Sequence, residues 1–250
     1  MKHKIFTIIF IVLLVTLWWF HYHSEYIWHF TATLALAYLI IVFYGSYEIR
    51  FNYFLRSVNS GSPTGIALTF DDGPDERSTK KIVEILALAN TPATFFVIGK
   101  NAEKNPTLLK QIHDSGHTIG NHSYSHSNGI GLFSSAKLKS DIEHCSQVIQ
   151  EITGVTPVYF RPPFGVTNPR YASVLKQLAL TSVGWSLRSF DTSAKNEQNL
   201  LHRITSQLKP GSIVLLHDTK GVTVEILPAL INYCKQNNLN IVPLPDLLKK

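Results

Sequence analysis

Gly65-Ile66-Ala67-Leu68-Thr69-Phe70-Asp71-Asp72-Gly73-Pro74 sets two adjacent carboxylates at the end of a short apolar run and follows them with a Gly-Pro turn. A run this short, apolar and bounded by turn formers predicts a buried strand. Successive side chains of a strand point to opposite faces, but at its end the twist relaxes and both can reach one cavity. Two like charges side by side raise one pKa unless a positive group is near. Asp71 and Asp72 therefore ask for a metal, a basic partner, or both. The plainer alternative is a surface turn, since Asp, Gly and Pro all favour turns.

Working outward, strand and helix signals alternate strictly. Ser78 predicts a helix start, with Ile82, Ile85, Leu86 and Ala89 on one face. Residues 93–98 read as a strand, and Asn105-Pro106 opens a helix that Gly116 closes. Residues 117–121 are extended, and Ser134 to Gly154 frames a long helix. Val158-Tyr159-Phe160 is a strand entering Arg161-Pro162-Pro163-Phe164-Gly165, and Asn168-Pro169 begins another helix. Strands follow at 181–187, 212–216 and 240–243, with helices at 196–208 and 222–236. Apolar strands in βα order predict an α/β fold whose parallel sheet of about seven strands is covered by helices. Both a barrel and a doubly wound sheet put their active site at the carboxyl ends of the strands. Asp71, Asp72, His122, His126, Arg161, Asp191 and His217 all fall at such ends.

His122 and His126 are four residues apart, a spacing that puts two imidazoles on one face of a helical turn. With a carboxylate from another strand end they make a His2Asp set with positions left open for water and substrate. A cation held there brings the pKa of a bound water toward ~7. Eleven histidines are present, so chance pairing is the competing reading; His113, His117, His144 and His202 have no matching partner. Arg161 offers a rigid, permanently charged fork to a carboxylate or a substrate. Phe164 and Gly165 let backbone N–H groups approach a ligand. His217 ends an apolar strand, where an ionisable group is costly without a partner. Asp191 as that partner would raise its pKa and make it an acid. A satisfied buried histidine is the alternative.

The chain has 250 residues, 23 Lys+Arg against 17 Asp+Glu, and a net charge of +6. No long basic block exists, which argues against nucleic acid as the main partner. Cys145 and Cys234 read as buried thiols. Residues 1–56 form a membrane hairpin and juxtamembrane segment, with apolar helices at about 5–20 and 27–44 and an acyl-chain bilayer as the implied partner. A signal peptide is the competitor, but no small-residue cleavage site follows Trp18-Trp19-Phe20. Residues 57–250 form the second unit, and residues 57–64 have linker composition. Lys2, Lys4, Arg50 and Arg56 share one side of the hairpin, so positive-inside counting favours a cytoplasmic domain.

Thr69–Pro74, His122…His126, Arg161–Gly165, Asp191 and Leu216-His217 together resemble, in order and spacing, the five motifs of the polysaccharide deacetylase (NodB-homology, carbohydrate esterase 4) family. The resemblance covers about residues 64–245. It implies a distorted (β/α) barrel and metal-dependent removal of acetyl from N-acetylated sugars, with an acetylated glycan as partner. It also implies Asp71 as general base, Asp72, His122 and His126 as metal ligands, and Arg161 as the residue orienting the base. Asp191 then partners the acid His217, and the Phe164 N–H is the oxyanion donor. The implied cofactor is a divalent metal, Zn2+ first, with Co2+, Ni2+ or Mn2+ as alternatives. Family substrates lie outside the cytoplasmic membrane, so the resemblance points the domain toward the cell envelope, against the charge count. Three departures stand out: Arg188 replaces the first Asp of the usual Asp-x-x-Asp-Trp motif, Thr192 replaces its Trp, and Phe164 replaces a Tyr. Trp185 is the candidate to restore the lost groove wall. An O-acetyl-glycan esterase, a metal-dependent phosphatase and a non-catalytic glycan-binding membrane protein are the competing functions.

Overall fold

The computed structural model describes residues 2–249. Two antiparallel helices come first, α1 (Lys2–His21) and α2 (Ile27–Tyr47). They meet through Phe10 stacked on Tyr38, Trp18 edge-on to Trp28, and a 2.8 Å hydrogen bond between the Thr7 and Tyr38 hydroxyls. No residue of α1 is buried, and only Ile27 and Gly45 of α2 are.

The sheet and its helices follow as β1 (Ala67–Asp71), α3 (Ser78–Leu88), β2 (Thr94–Val97), α4 (Gly99–Lys104), α5 (Pro106–Asp114), β3 (Thr118–Asn121) and α6 (Ser135–Thr153). Then come β4 (Tyr159–Phe160), α7 (Pro169–Gln177), β5 (Thr181–Ser182), β6 (Leu187–Arg188), α8 (Glu197–Thr205), β7 (Ile213–His217), α9 (Gly221–Gln236) and α10 (Leu244–Leu247). Seven parallel strands, in the order β5-β4-β3-β2-β1-β7-β6, curl into a half-barrel. The alternation of β1 sorts its side chains. Ile66, Leu68 and Phe70 join the large apolar layer under α3, α5, α8 and α9. Ala67 faces inward with Phe96, Val183 and Ile213.

Several sequence expectations are corrected. The strand expected at 181–187 is two strands, because the chain crosses the gap of the half-barrel. Its first half pairs with β4, its second with β7. At the break Val58 repairs the ladder: its N–H donates to the Ser182 carbonyl and its carbonyl accepts from the Gly184 N–H, both at 2.9 Å. Residues 57–64 are therefore no free linker; they plug the gap, with a second bridge from Ser60 to Ser212. The strand expected at 240–243 shrinks to one bridge between Ile66 and Ile241. Residues 49–55 also bury Ile49 with Trp185 and Leu215, and Leu55 with Phe160 and Tyr171, while Tyr53 and Phe54 pack on His3 of α1. Thr167 and Ser46 exchange two bonds, N–H to carbonyl at 2.9 Å and Ser46 hydroxyl to Thr167 carbonyl at 2.7 Å, fastening the end of α2 to the body.

Candidate active site

Asp71 closes β1, in register with Phe96 on β2 and His217 on β7. Its inward neighbour Thr69 and the fully buried Arg161 complete a polar ladder on the interior face. Arg161 Nη1 donates to Asp71 Oδ1 at 2.7 Å and to Thr69 Oγ1 at 2.8 Å. Its Nε and Nη2 donate to the Val183 and Gly184 carbonyls, and the guanidinium lies 4.1 Å from the centre of the Phe96 ring. With every edge engaged, Arg161 serves the Asp71 carboxylate and not a ligand. Burial pushes Asp71 above the usual carboxylate range, opposed by the charges of Arg161 and His217. That is the direction a proton acceptor needs.

Asp72 reaches the same cavity through its backbone and not through relaxed strand twist. Its φ of 83° lies in the left-handed region, which a non-glycine residue enters at a cost. This turns Oδ1 to 3.7 Å from His122 Nε2 and 3.5 Å from His126 Nε2. The Asn101 amide holds the turn by donating to the Asp72 carbonyl at 2.7 Å.

The two histidines do not share a helical turn. They flank a loop in which Ser123 (φ 67°) and His126 (φ 45°) are left-handed. Asn121 Oδ1 accepts from the Ser123 N–H, Ser123 Oγ from the His126 N–H, and the Asp141 carboxylate from Tyr124 and Ser125. His122 Nδ1 sits 2.8 Å from the Arg161 carbonyl. A carbonyl only accepts, so Nδ1 carries the proton and Nε2 presents its lone pair to Asp72. Burial holds His122 neutral, down to about 3, and lowers His126 as well.

These three residues fit a metal on their geometry. One ligand atom from each lies within 4.8 Å of the others. Donors about 2.1 Å from a tetrahedral cation stand about 3.4 Å apart, close to the separations from Asp72. Neutral imidazoles, a locked tautomer and one carboxylate are the donor set such a cation needs.

Across the cavity Asp191 grips His217 twice. Oδ1 accepts from Nδ1 and Oδ2 from the backbone N–H, each at 2.7 Å. Thr223 Oγ1 adds a third bond to Oδ2 at 2.7 Å. Burial disfavours the His217 cation, but the hydrogen bond and charge of Asp191 outweigh it and raise the pKa. Burial likewise works against the Asp191 carboxylate, yet His217 and Thr223 hold it below the usual range.

Phe164 (φ 60°) and Gly165 (φ 71°) form a tight turn after the two prolines, closed by bonds from the Gly165 N–H to the Pro162 carbonyl and from the Val166 N–H to the Pro163 carbonyl. The Phe164 ring packs on His126, 4.5 Å between centroids. A Cβ on residue 165 would run into the Trp185 indole, so Trp185 walls the pocket by filling the space that Gly165 leaves. The cavity, about 210 Å³, is lined by Asp71, Asp72, His122, His126 and His217 on one side. Phe164, Gly165, Trp185, Arg188, Thr192 and Leu215 complete it.

Sequence reading missed the supports. Asn105 does not cap its helix; its amide donates to the Pro74 carbonyl at 3.1 Å. Asp218, beside His217, is buried against Gly73 and accepts from Thr79 Oγ1 at 2.7 Å. Burial pushes its carboxyl up to about 8, and its backbone N–H donates to the Asp71 carbonyl at 3.2 Å, bracing the Asp-Asp turn. Its position after a strand-end histidine was the available signal.

The sequence profile of the family described as "Polysaccharide deacetylase" matches residues 59–183. A peptidoglycan-N-acetylglucosamine deacetylase of Bacillus cereus is 32% identical over 188 residues, 74% of this chain and 68% of the relative. The solved structure of a peptidoglycan N-acetylglucosamine deacetylase superposes with a TM-score of 0.73 at 31% identity, covering 77% of this chain and 92% of that one. A carbohydrate esterase 4 pseudoenzyme from Bacillus anthracis superposes with a TM-score of 0.73 at 26% identity, covering 78% of this chain and 69% of that one. The chain belongs to the polysaccharide deacetylase family.

Proposed function

We propose that this protein is a membrane-anchored hydrolase that removes acetyl groups from N-acetylated sugars in an N-acetylglucosamine-containing polysaccharide or lipid-linked glycan. One observation carries the reading. A carboxylate held by a buried arginine, a His2Asp donor set and an Asp-backed histidine converge on one cavity. Asp72, His122 and His126 are the ligands, and zinc is the cation their donor set suits best, with cobalt, nickel or manganese able to take the same donors. When bound, the cation supplies Lewis-acid polarisation of the acetyl carbonyl and lowers the pKa of the attacking water.

The remaining chemistry belongs to the chain. Asp71, kept in place by Arg161, takes a proton from water as its oxygen attacks the carbonyl carbon. We assign the Phe164 N–H, on a turn at the cavity's edge, as donor to the developing oxyanion. His217, charged through Asp191, gives its proton to the sugar nitrogen as the C–N bond breaks, leaving acetate and a free amine. The intact set speaks against a purely glycan-binding role, although a pseudoenzyme exists among the structural neighbours. An O-acetyl esterase would use the same groups on an oxygen leaving group.

One feature supports retained membrane helices over a cleaved leader, since exposed apolar side chains suit both. The start of α1 is tied to the segment after α2, by the His3 N–H to the Tyr53 carbonyl at 3.2 Å and Lys2 Nζ to the Phe51 carbonyl at 2.9 Å. We place the catalytic domain on the envelope side, which a reporter fused after residue 250 would test.

The test of function is acetate release by the full chain in micelles, stripped of metal and then given Zn2+, on N-acetylglucosamine oligomers and O-acetylated glycans. Zinc-dependent release from the N-acetyl set is expected; release from the O-acetyl set alone would move the assignment to an esterase.

A further inference from the structure

Arg188 is the one lining residue of the catalytic cavity whose charge has no use in the reaction. It ends β6 and faces the same space as Asp71, Asp72 and His217. Among the described residues its side chain makes one hydrogen bond, from Nη1 to the Tyr47 hydroxyl at 3.3 Å, and no ion pair. The carboxylates around it are already committed. Glu48 forms a two-pronged pair with Arg50, both bonds at 2.8 Å. Asp191 is spent on His217 and Thr223, and Asp71 on Arg161. The guanidinium stands among the rings of Phe190, Trp185 and Tyr47, at 5.0, 5.6 and 6.0 Å from their centroids. Aromatic faces hold a guanidinium in position without consuming its N–H donors.

A positioned, half-buried cation with free donors, at the edge of a pocket for a neutral acetamido sugar, is surplus to deacetylation. We propose that Arg188 is an anion-binding subsite, and that the preferred substrate carries an oxyanion, carboxylate or phosphate, close to the acetamido group being cleaved. The proposal rests on the deacetylase reading above and specifies its substrate. A guanidinium meets either anion with two parallel hydrogen bonds. The carboxylate would come from an acidic substituent on the sugar, the phosphate from its reducing end. Tyr47, the contact of Arg188, is the last residue of α2, so the subsite lies beside the end of the apolar hairpin.

The test has two readouts on the full chain in micelles. The first is calorimetric binding of N-acetylmuramic acid, its methyl ester, N-acetylglucosamine and N-acetylglucosamine 1-phosphate to wild type, Arg188→Gln and Arg188→Lys. A charge-assisted two-pronged contact predicts that Arg188→Gln lowers the acid-to-ester or phosphate-to-sugar affinity ratio by about 10- to 100-fold. Arg188→Lys should restore part of it. The second readout is the ratio of kcat/KM between matched anionic and neutral N-acetylated glycans, which should fall by a similar factor. A larger effect on the phosphate than on the acid assigns the phosphate, and the reverse assigns the carboxylate. Affinity ratios that are unchanged in Arg188→Gln overturn the subsite even if the enzyme turns over. Absence of acetate release from every glycan would overturn the deacetylase reading, while the binding ratios still decide the subsite.

Discussion

Replacing Asp191 by Asn isolates the group that charges His217. The substitution keeps shape and retains an oxygen to accept from the His217 backbone N–H and Thr223, both now at 2.7 Å. It removes the charge facing Nδ1. Two unit charges about 4 Å apart at an effective dielectric near 20 interact by about 4 kcal/mol. At about 1.4 kcal/mol per unit, that is at most ~3 units of His217 basicity. Reorganisation in the variant reduces it, so a fall of about 1–3 units is expected. The amide nitrogen facing Nδ1 would also favour the tautomer with its proton on Nε2, a neutral and weaker acid.

The assay is the pH profile of kcat/KM for acetate release. In the proposed mechanism His217 must be protonated to serve the leaving amine, so activity should hold below its raised pKa and fall as pH climbs through it. In Asp191→Asn this basic limb should move to lower pH by 1–3 units, with kcat down by about 100- to 10,000-fold. The stability difference between wild type and variant has its own window. His217 contributes fully below its ordinary value of 6.5 and is lost as pH rises through the raised folded value. Asp191 contributes fully above 3.8 and is lost as pH falls through its lowered folded value. The difference should therefore be largest between those two ordinary values. An unchanged basic limb with kcat within twofold of wild type would refute Asp191 as the source of His217 acidity.

Arg161→Met should destabilise the fold by about 3–5 kcal/mol in denaturant titration, because it strands the buried Asp71 carboxylate. Adding Asp71→Asn should then recover part of the loss, whereas additive effects would deny the pair. Gly165→Ala must place a methyl group against Trp185 at a positive φ, so a loss of about 1–3 kcal/mol is expected by thermal unfolding. His126→Ala should abolish stoichiometric zinc binding measured by elemental analysis; retained zinc would remove His126 from the ligand set.

Much of this was legible because strand periodicity and turn composition are local. The apolar run ending at Asp71 reads as a strand, and its register then aligns Asp71 with His217. The Asp191–His217 pair follows from the cost of an unpartnered ionisable group at the end of an apolar strand, whereas the Arg161–Asp71 pair was implied only by the family resemblance. What stayed hidden depends on distant contacts. Nothing local in residues 181–187 shows that the two halves find different neighbours, or that Val58 fills the break. The His122–His126 spacing suggested a helix, but Asn121, Ser123 and Asp141 offer the loop a better set of bonds. Asn105 and Asp218 brace the Asp-Asp turn from separate elements, and no short motif announces that.

The central claim is that two adjacent carboxylates divide the work. Asp71→Asn and Asp72→Asn should be purified side by side and each scored for bound zinc and for acetate release. Asp71→Asn is predicted to keep one zinc per chain and lose turnover, while Asp72→Asn loses the zinc itself. Full zinc in Asp72→Asn, or wild-type turnover in Asp71→Asn, would contradict that division.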